Sequence, residues 1–334
     1  MTMIYILLTL ILIILLTYFV GGYFLRYALV PNSGAENRII KDNSTPPDDE
    51  QIEPQAQMLE DNMVDDIILR DAWMDDMAID QLEVSIQSHD GFKLSGHAFK
   101  QDSPTNRWVI ACHGYQSGEG ETLLIGRHFY DQGYNVLTVS MRAHGKSEGD
   151  YIGMGYLDKD DLLSWTNALV AKYPDSEIAY HGTSMGGATV LMASGLDLPS
   201  NVKAIVSDCA FTGVWEIFAA EMKQRFNIPP FPILHMARIM GKIKAGFDIK
   251  DGRTIDYVRK STLPILFIHT VDDDFVPLSM MHDLYEAKVH GDKEAYIVEV
   301  GGHAEAKYAE PVRYYEKVFS FLNHYLSKKS NHSD

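Results

Sequence analysis

One residue in this chain is set up to act as a nucleophile: Ser184, in His181-Gly182-Thr183-Ser184-Met185-Gly186-Gly187. The apolar run Ile178-Ala179-Tyr180 precedes it and residues 188–193 read as a helix, so the serine sits on a sharp strand-to-helix turn. Glycines at 182 and 186 keep side chains out of that turn, and the hydroxyl stands clear of the backbone. A hydroxyl attacks a carbonyl only when a base takes its proton and an acid orients the base. Two later segments supply those groups in the order acid, then histidine. Residues 264–269 read as a buried strand leading into Thr270-Val271-Asp272-Asp273-Asp274-Phe275-Val276-Pro277. Residues 295–300 read as a last strand ending in Gly301-Gly302-His303-Ala304. These residue types leave the acid open among Asp272, Asp273 and Asp274.

The elements that must position these groups alternate along the chain. Strands are expected at 82–87, 94–99, 108–113, 135–140, 177–181, 204–208, 264–269 and 295–300, the first two as a hairpin across Asp90-Gly91. Helices are expected at 121–132, 157–173, 185–195, 279–289 and 311–326. Such alternation implies an α/β fold with a mostly parallel sheet and helices on both faces. Sites in these sheets lie beyond the carboxyl ends of the strands, where each candidate falls.

Taken together, Asp90-Gly91, His113-Gly114-Tyr115, Arg142-Ala143-His144-Gly145-Lys146-Ser147, the serine turn, Ser207-Asp208-Cys209-Ala210-Phe211, residues 269–277 and Gly302-His303-Ala304 resemble the α/β-hydrolase superfamily in order and spacing. The resemblance covers residues 82–327 and is closest to bacterial membrane-anchored hydrolases related to cinnamoyl and feruloyl esterases. It implies an eight-stranded sheet with a lid inserted at 211–261. The family pattern His-Gly-x-x-Asp-x-x-Val-Pro, aligned on His269, Val276 and Pro277, puts the acid at Asp273, with Thr270 where the family has glycine. Asp208 is the rival acid, because some relatives carry theirs after the preceding strand. Ser184 is then the nucleophile, His303 the general base and Asp273 its partner; the backbone N–H groups of Met185 and Tyr115 form the oxyanion hole. His113, His144, His181 and His269 read as loop-packing or hydrogen-bonding residues. Trp215, Phe218 and Phe231 in the lid are candidates for contacting an apolar or aromatic acyl group, and the alternative is a cap that buries its aromatics against itself.

Residues 1–26 contain no charge before Arg26 and are long enough to span a bilayer, with neither a leading basic residue nor an Ala-x-Ala cleavage pattern. The reading is an uncleaved anchor, and Arg26 favours a cytoplasmic catalytic domain. Residues 27–81 read as an acidic linker carrying one docked helix with a stripe of Met58, Leu59, Met63, Ile67, Ile68 and Trp73; 328–334 read as a polar tail. Residues 41–80 carry thirteen acidic and two basic side chains, a large share of the net charge of −17. That distribution argues against nucleic-acid binding. Cys112 and Cys209 read as buried thiols, no metal-ligand spacing is present, and no cofactor is called for. The expected function is a serine carboxylesterase acting on a small ester. A peptidase or amidase with the same three residues and a catalytically silent, membrane-tethered binding module stand as alternatives. Oligomeric state is not legible.

Overall fold

The computed structural model describes residues 2–31 and 54–326. The proline-containing acidic stretch around Pro46 to Glu50 and the polar tail lie outside the described residues. Eight strands form one sheet: β1 (Asp80–Gln87), β2 (Lys93–Lys100), β3 (Arg107–Cys112), β4 (Asn135–Val139), β5 (Glu177–Thr183), β6 (Val202–Asp208), β7 (Ile265–Thr270) and β8 (Lys293–Val298). Their order across the sheet is β1-β2-β4-β3-β5-β6-β7-β8. β1 and β2 pair antiparallel, as do β2 and β4, and all later neighbours are parallel. β3, β4 and β7 are buried almost throughout, which is why they read as continuous apolar runs. From β3 the chain moves to β4 on one side and later to β5 on the other, so the crevice beyond β3 and β5 is the switch point where a site forms.

The helices are α1 (Thr2–Leu29), α2 (Pro54–Asp75), α3 (Glu119–Asp131), α4 (Asp158–Lys172), α5 (Met185–Ala193), α6 (Val214–Phe226), α7 (Ile233–Lys244), α8 (Thr254–Val258), α9 (Leu278–Ala287), α10 (Ala306–Ala309) and α11 (Pro311–Tyr325). One sheet face is covered by α3 and α11 through Ile125, Phe129, Tyr314 and Phe319. The other is covered by α4, α5 and α9 through Trp165, Val190 and Met281. This second core does not stop at the domain's helices. It continues through Met222, Leu234, Ala237 and Met240 of the lid to Leu25 and Leu29 of α1.

α1 is therefore two things along one helix. Its span Met3–Leu29 has a mean hydropathy of 2.8, long and apolar enough to cross a membrane. Side chains 3–16 are exposed, whereas Gly21, Leu25 and Leu29, one turn apart, are buried against α7. The contact needs small residues, because a Cβ on Gly21 would lie 2.8 Å from Met236 Cβ. The helix end is bonded into the domain: Ile152 N–H donates to the Leu29 carbonyl at 2.8 Å, and the Tyr115 hydroxyl to that of Ala28 at 2.8 Å. These partners satisfy carbonyls that a helix C-terminus otherwise leaves unpaired.

α2 docks on part of the expected stripe: Trp73 is buried and Leu59 and Ile67 are half-buried, whereas Met58, Met63 and Ile68 are exposed. The buried face is set by Asp66, which bonds Arg127 and His128 of α3, and by Trp73, stacked on Phe99 at 4.4 Å. The Asp66 pair, invisible to an apolar periodicity, adds a polar anchor to that face.

Candidate active site

Ser184 follows β5 and starts α5 with φ 56°, a left-handed value that costs a non-glycine residue energy and recurs where a side chain must be held out of a turn. The two flanking glycines are required by contact. A Cβ on Gly182 would sit 2.2 Å from the Gly186 carbonyl oxygen, and one on Gly186 would sit 2.1 Å from that of Cys112. The serine hydroxyl lies 2.7 Å from His303 Nε2, and His303 Nδ1 lies 2.7 Å from Asp273 Oδ2. Asp273 is held in turn: its Oδ1 accepts from the N–H groups of Phe275 and Val276 at 2.9 and 2.8 Å. His269 Nε2 stands 3.3 Å from Oδ2 and donates to the Val276 carbonyl at 2.8 Å, closing the loop that carries the acid. Burial alone would raise the Asp273 carboxyl, but its hydrogen bonds and electrostatic interactions with His269 and His303 outweigh it and hold the group far below the ordinary carboxylate range.

The rival acid is turned elsewhere. Asp208 Oδ2 accepts from the Tyr314 hydroxyl at 2.9 Å, and that hydroxyl is 3.0 Å from His181 Nε2. Burial raises the Asp208 carboxyl. Thus the structure brings Ser184, Asp273 and His303 into one line and leaves Asp208 outside it.

Met185 is the first residue of α5, so its N–H belongs to the unpaired, electropositive helix start beside the serine. Tyr115 lies on the loop after β3, where a Cβ on Gly114 would be 3.4 Å from Ser184 Cβ. Three side chains shape that loop. Glu121 accepts from the Gly114 N–H at 2.7 Å and the Ser117 hydroxyl at 2.5 Å. His113 Nε2 accepts from the Met141 N–H at 3.0 Å, and His144 Nε2 from that of Gln116 at 3.2 Å. Burial and the neighbouring His144 bring His113 down to about 3, so it stays neutral and can accept. Glu121 went unnoticed in the sequence; only its position on α3, one turn behind the loop, reveals it.

A cavity of about 100 Å³ opens on Ser184. Phe24, Leu25 and Ala28 of α1 form one wall; Phe218, Leu234 and Ala237 of the lid form another, with Phe211 and Phe275 between. Its charged lining residues are Glu221 and Arg225, which bond each other at 2.5 Å. Of the three aromatic lid candidates, Phe218 lines the cavity. Trp215 packs on His235 at 4.9 Å beneath Lys250, and Phe231 is 70% exposed; both lie outside the lining. The α1 wall was missed as well, since nothing local in residues 24–29 says that they end at the serine.

Cys209, Asp273 and His303 place potential metal-ligating atoms within 4.8 Å of one another. The imidazole nitrogens are already hydrogen-bonded to Ser184 and Asp273. Burial together with Asp208 and Asp273 holds the Cys209 thiol protonated, 4.0 Å from His303 Nε2. The donor set thus fits acid–base work better than ligation.

The serine aminopeptidase S33 family model matches residues 103–261, which include Ser184 and the lid. The uncharacterized protein YqkD of Bacillus subtilis (strain 168) is 32% identical over 240 residues, covering 71% of this chain and 78% of YqkD. An uncharacterized membrane protein of Saccharomyces cerevisiae, YNL320W, is 24% identical over 235 residues, covering 69% of this chain and 75% of its own. The Pyrococcus furiosus esterase Pf2001 shares the fold, with a TM-score of 0.61 at 24% identity over 75% of this chain and 95% of that one. The sheet order, the serine turn and these likenesses converge: the chain belongs to the α/β-hydrolase superfamily and is a hydrolase of its esterase and peptidase kind.

Proposed function

We propose that this protein is a membrane-anchored serine hydrolase that cleaves carboxylic esters of apolar acyl groups. The observation that carries the reading is the hydrogen-bonded line from Ser184 through His303 to Asp273, placed at an apolar cavity. Ser184 Oγ attacks the ester carbonyl while His303 Nε2 takes its proton. Asp273, ionised at all working pH values, fixes the imidazole tautomer and stabilises the imidazolium. The N–H groups of Met185 and Tyr115 receive the oxyanion; one such donor contributes about 3 kcal/mol to the transition state. His303 returns the proton to the leaving alcohol, and water then releases the acyl group from Ser184. The anchor reading is supported by the buried end of α1: α1 continues unbroken from the apolar run into the core, and a cut beyond Leu29 would remove Leu25 and Leu29 from it.

The match to the serine aminopeptidase model favours one second reading, a peptidase working with the same three residues. An aminopeptidase needs an anionic partner for the substrate amine, and the lining carboxylate, Glu221, is already paired with Arg225. Purified full-length protein is to be assayed on short p-nitrophenyl esters and on aminoacyl p-nitroanilides, with fluorophosphonate labelling of wild type and Ser184→Ala. Ester hydrolysis and labelling that vanish together in the variant are expected. Turnover of anilides alone would replace the esterase by the peptidase, and an unlabelled, inactive wild type by the silent binding module.

A further inference from the structure

We propose that the substrate is an acyl ester dissolved in the bilayer, and that its chain reaches Ser184 directly from the leaflet at the junction of α1 and α7. The proposal rests on the serine-hydrolase reading and adds the source of the substrate and the surface that receives it.

The first argument is length. Residues 3–20 of α1 are the part not committed to the domain's core, and at 1.5 Å per residue they rise about 27 Å. A hydrocarbon layer of about 30 Å takes up that whole length. No spacer is left: the layer reaches the turn where Gly21 and Gly22 meet Met236 and Met240. The lid helix therefore lies at the membrane interface, and Tyr18, Tyr23 and Tyr27 fall at the depth where aromatic rings collect.

The second argument is the lid's own surface. On α7, Met236, Ile239, Met240 and Ile243 recur at three- and four-residue spacing and share a face wider than α1 covers. Ile239 is 53% and Ile243 78% exposed. Residues 221–248 carry five Lys and Arg against two acids, Glu221 and Asp248, which pair with Arg225 and Arg238, so the segment keeps a net positive charge in a chain of net charge −17. An apolar face bordered by bases and continuous with a membrane span suits an anionic leaflet.

The third argument is what lies behind that surface. Phe24, Leu25 and Ala28 continue α1 into the wall of the cavity that opens on Ser184, so apolar surface runs from the span to the serine. A cavity of about 150 Å³ holds a benzene ring, so about 100 Å³ takes the first few carbons of an acyl chain and leaves the rest in the bilayer.

The test uses the full-length protein in phosphatidylcholine vesicles, with and without phosphatidylglycerol. Two substrates are compared: p-nitrophenyl acetate in water, and the palmitoyl ester of 4-methylumbelliferone dissolved in the vesicles. The double variant Ile239→Asp/Ile243→Asp is expected to stay within twofold of wild type on the acetate and to lose tenfold or more on the palmitoyl ester. Ile243→Trp is expected to add fluorescence that brominated acyl chains quench, more strongly with phosphatidylglycerol present. Equal rates of the double variant and wild type on the palmitoyl ester overturn the proposal. So does an unquenched tryptophan, including the case in which sedimentation shows that a second copy of the chain covers it. Failure of the underlying reading looks different: Ser184→Ala would then keep its activity on the acetate.

Discussion

At the serine, Ser184, Asp273 and His303 stand just beyond β5, β7 and β8, on short turns whose neighbours along the chain hold them. At the far wall of the same cavity, residues 24–29 meet residues 234–240, two segments separated by some two hundred positions. The first region is polar, tightly bonded and built from local motifs. The second is apolar and depends on small residues that let two helices approach. On the proposed reading the two regions have separate tasks: the local one carries the chemistry, and the distant contact shapes what reaches it.

The comparison breaks most sharply at the serine. Ser184→Ala and His303→Ala are each expected to lower kcat on short esters by at least ~10⁴-fold without loss of folding, measured by steady-state kinetics and circular dichroism. Asp273→Asn should cost roughly 10³- to 10⁴-fold, because the imidazole loses its tautomer and its counter-charge. Asp208→Asn should cost less than about tenfold by the same argument, since its carboxylate is on Tyr314. Equal losses in the two would make Asp208 a partner of His303. One step out, Glu121→Ala frees the Gly114 N–H and should lower kcat by about ten- to a hundredfold with little change in KM. A pure KM effect would place Glu121 on the substrate instead.

Smaller effects are expected at the helix junction. Gly21→Leu pushes α1 off α7 and should destabilise the domain by about 1–3 kcal/mol in denaturant titrations. It should lower the preference for octanoyl over acetyl esters while sparing acetate itself. The mildest probe compares two buried acids. Asp273 has several donors and is held low; its contribution to stability is present above an ordinary carboxylate pKa and is lost as pH falls below it. Asp158 accepts one backbone N–H, from Gly155, and burial beside Asp161 pushes it up from 3.8 to about 7. The unfolded chain gives up that proton first, so stability falls as pH rises between those two values. Asp158→Asn is expected to remove a slope of up to ~1.4 kcal/mol per pH unit in that window, read from urea midpoints.

Much of the frame was legible before the structure. All eight strands fall within two or three residues of their expected positions: the buried parallel ones are short apolar runs bounded by turns, and β1 and β2 flank the Asp90-Gly91 turn. The α2 docking face was legible in part: Leu59, Ile67 and Trp73 of the stripe turn inward and Met58, Met63 and Ile68 do not, while the Asp66 pair with Arg127 and His128 leaves no mark on an apolar pattern. Among the lid aromatics, composition could not say that Phe218 faces inward while Trp215 caps His235 and Phe231 points to solvent. Those outcomes depend on how α6 and α7 are set against the sheet.

What the sequence determined by itself was the order and type of the reacting groups and the presence of an apolar span, because turn chemistry and hydropathy are local properties. What only the tertiary structure decided was that the span's last turns complete the cavity. A helix face becomes a pocket wall through close approach to a distant partner, and Gly21, Gly22 and Gly241 permit that approach only once α7 is in place.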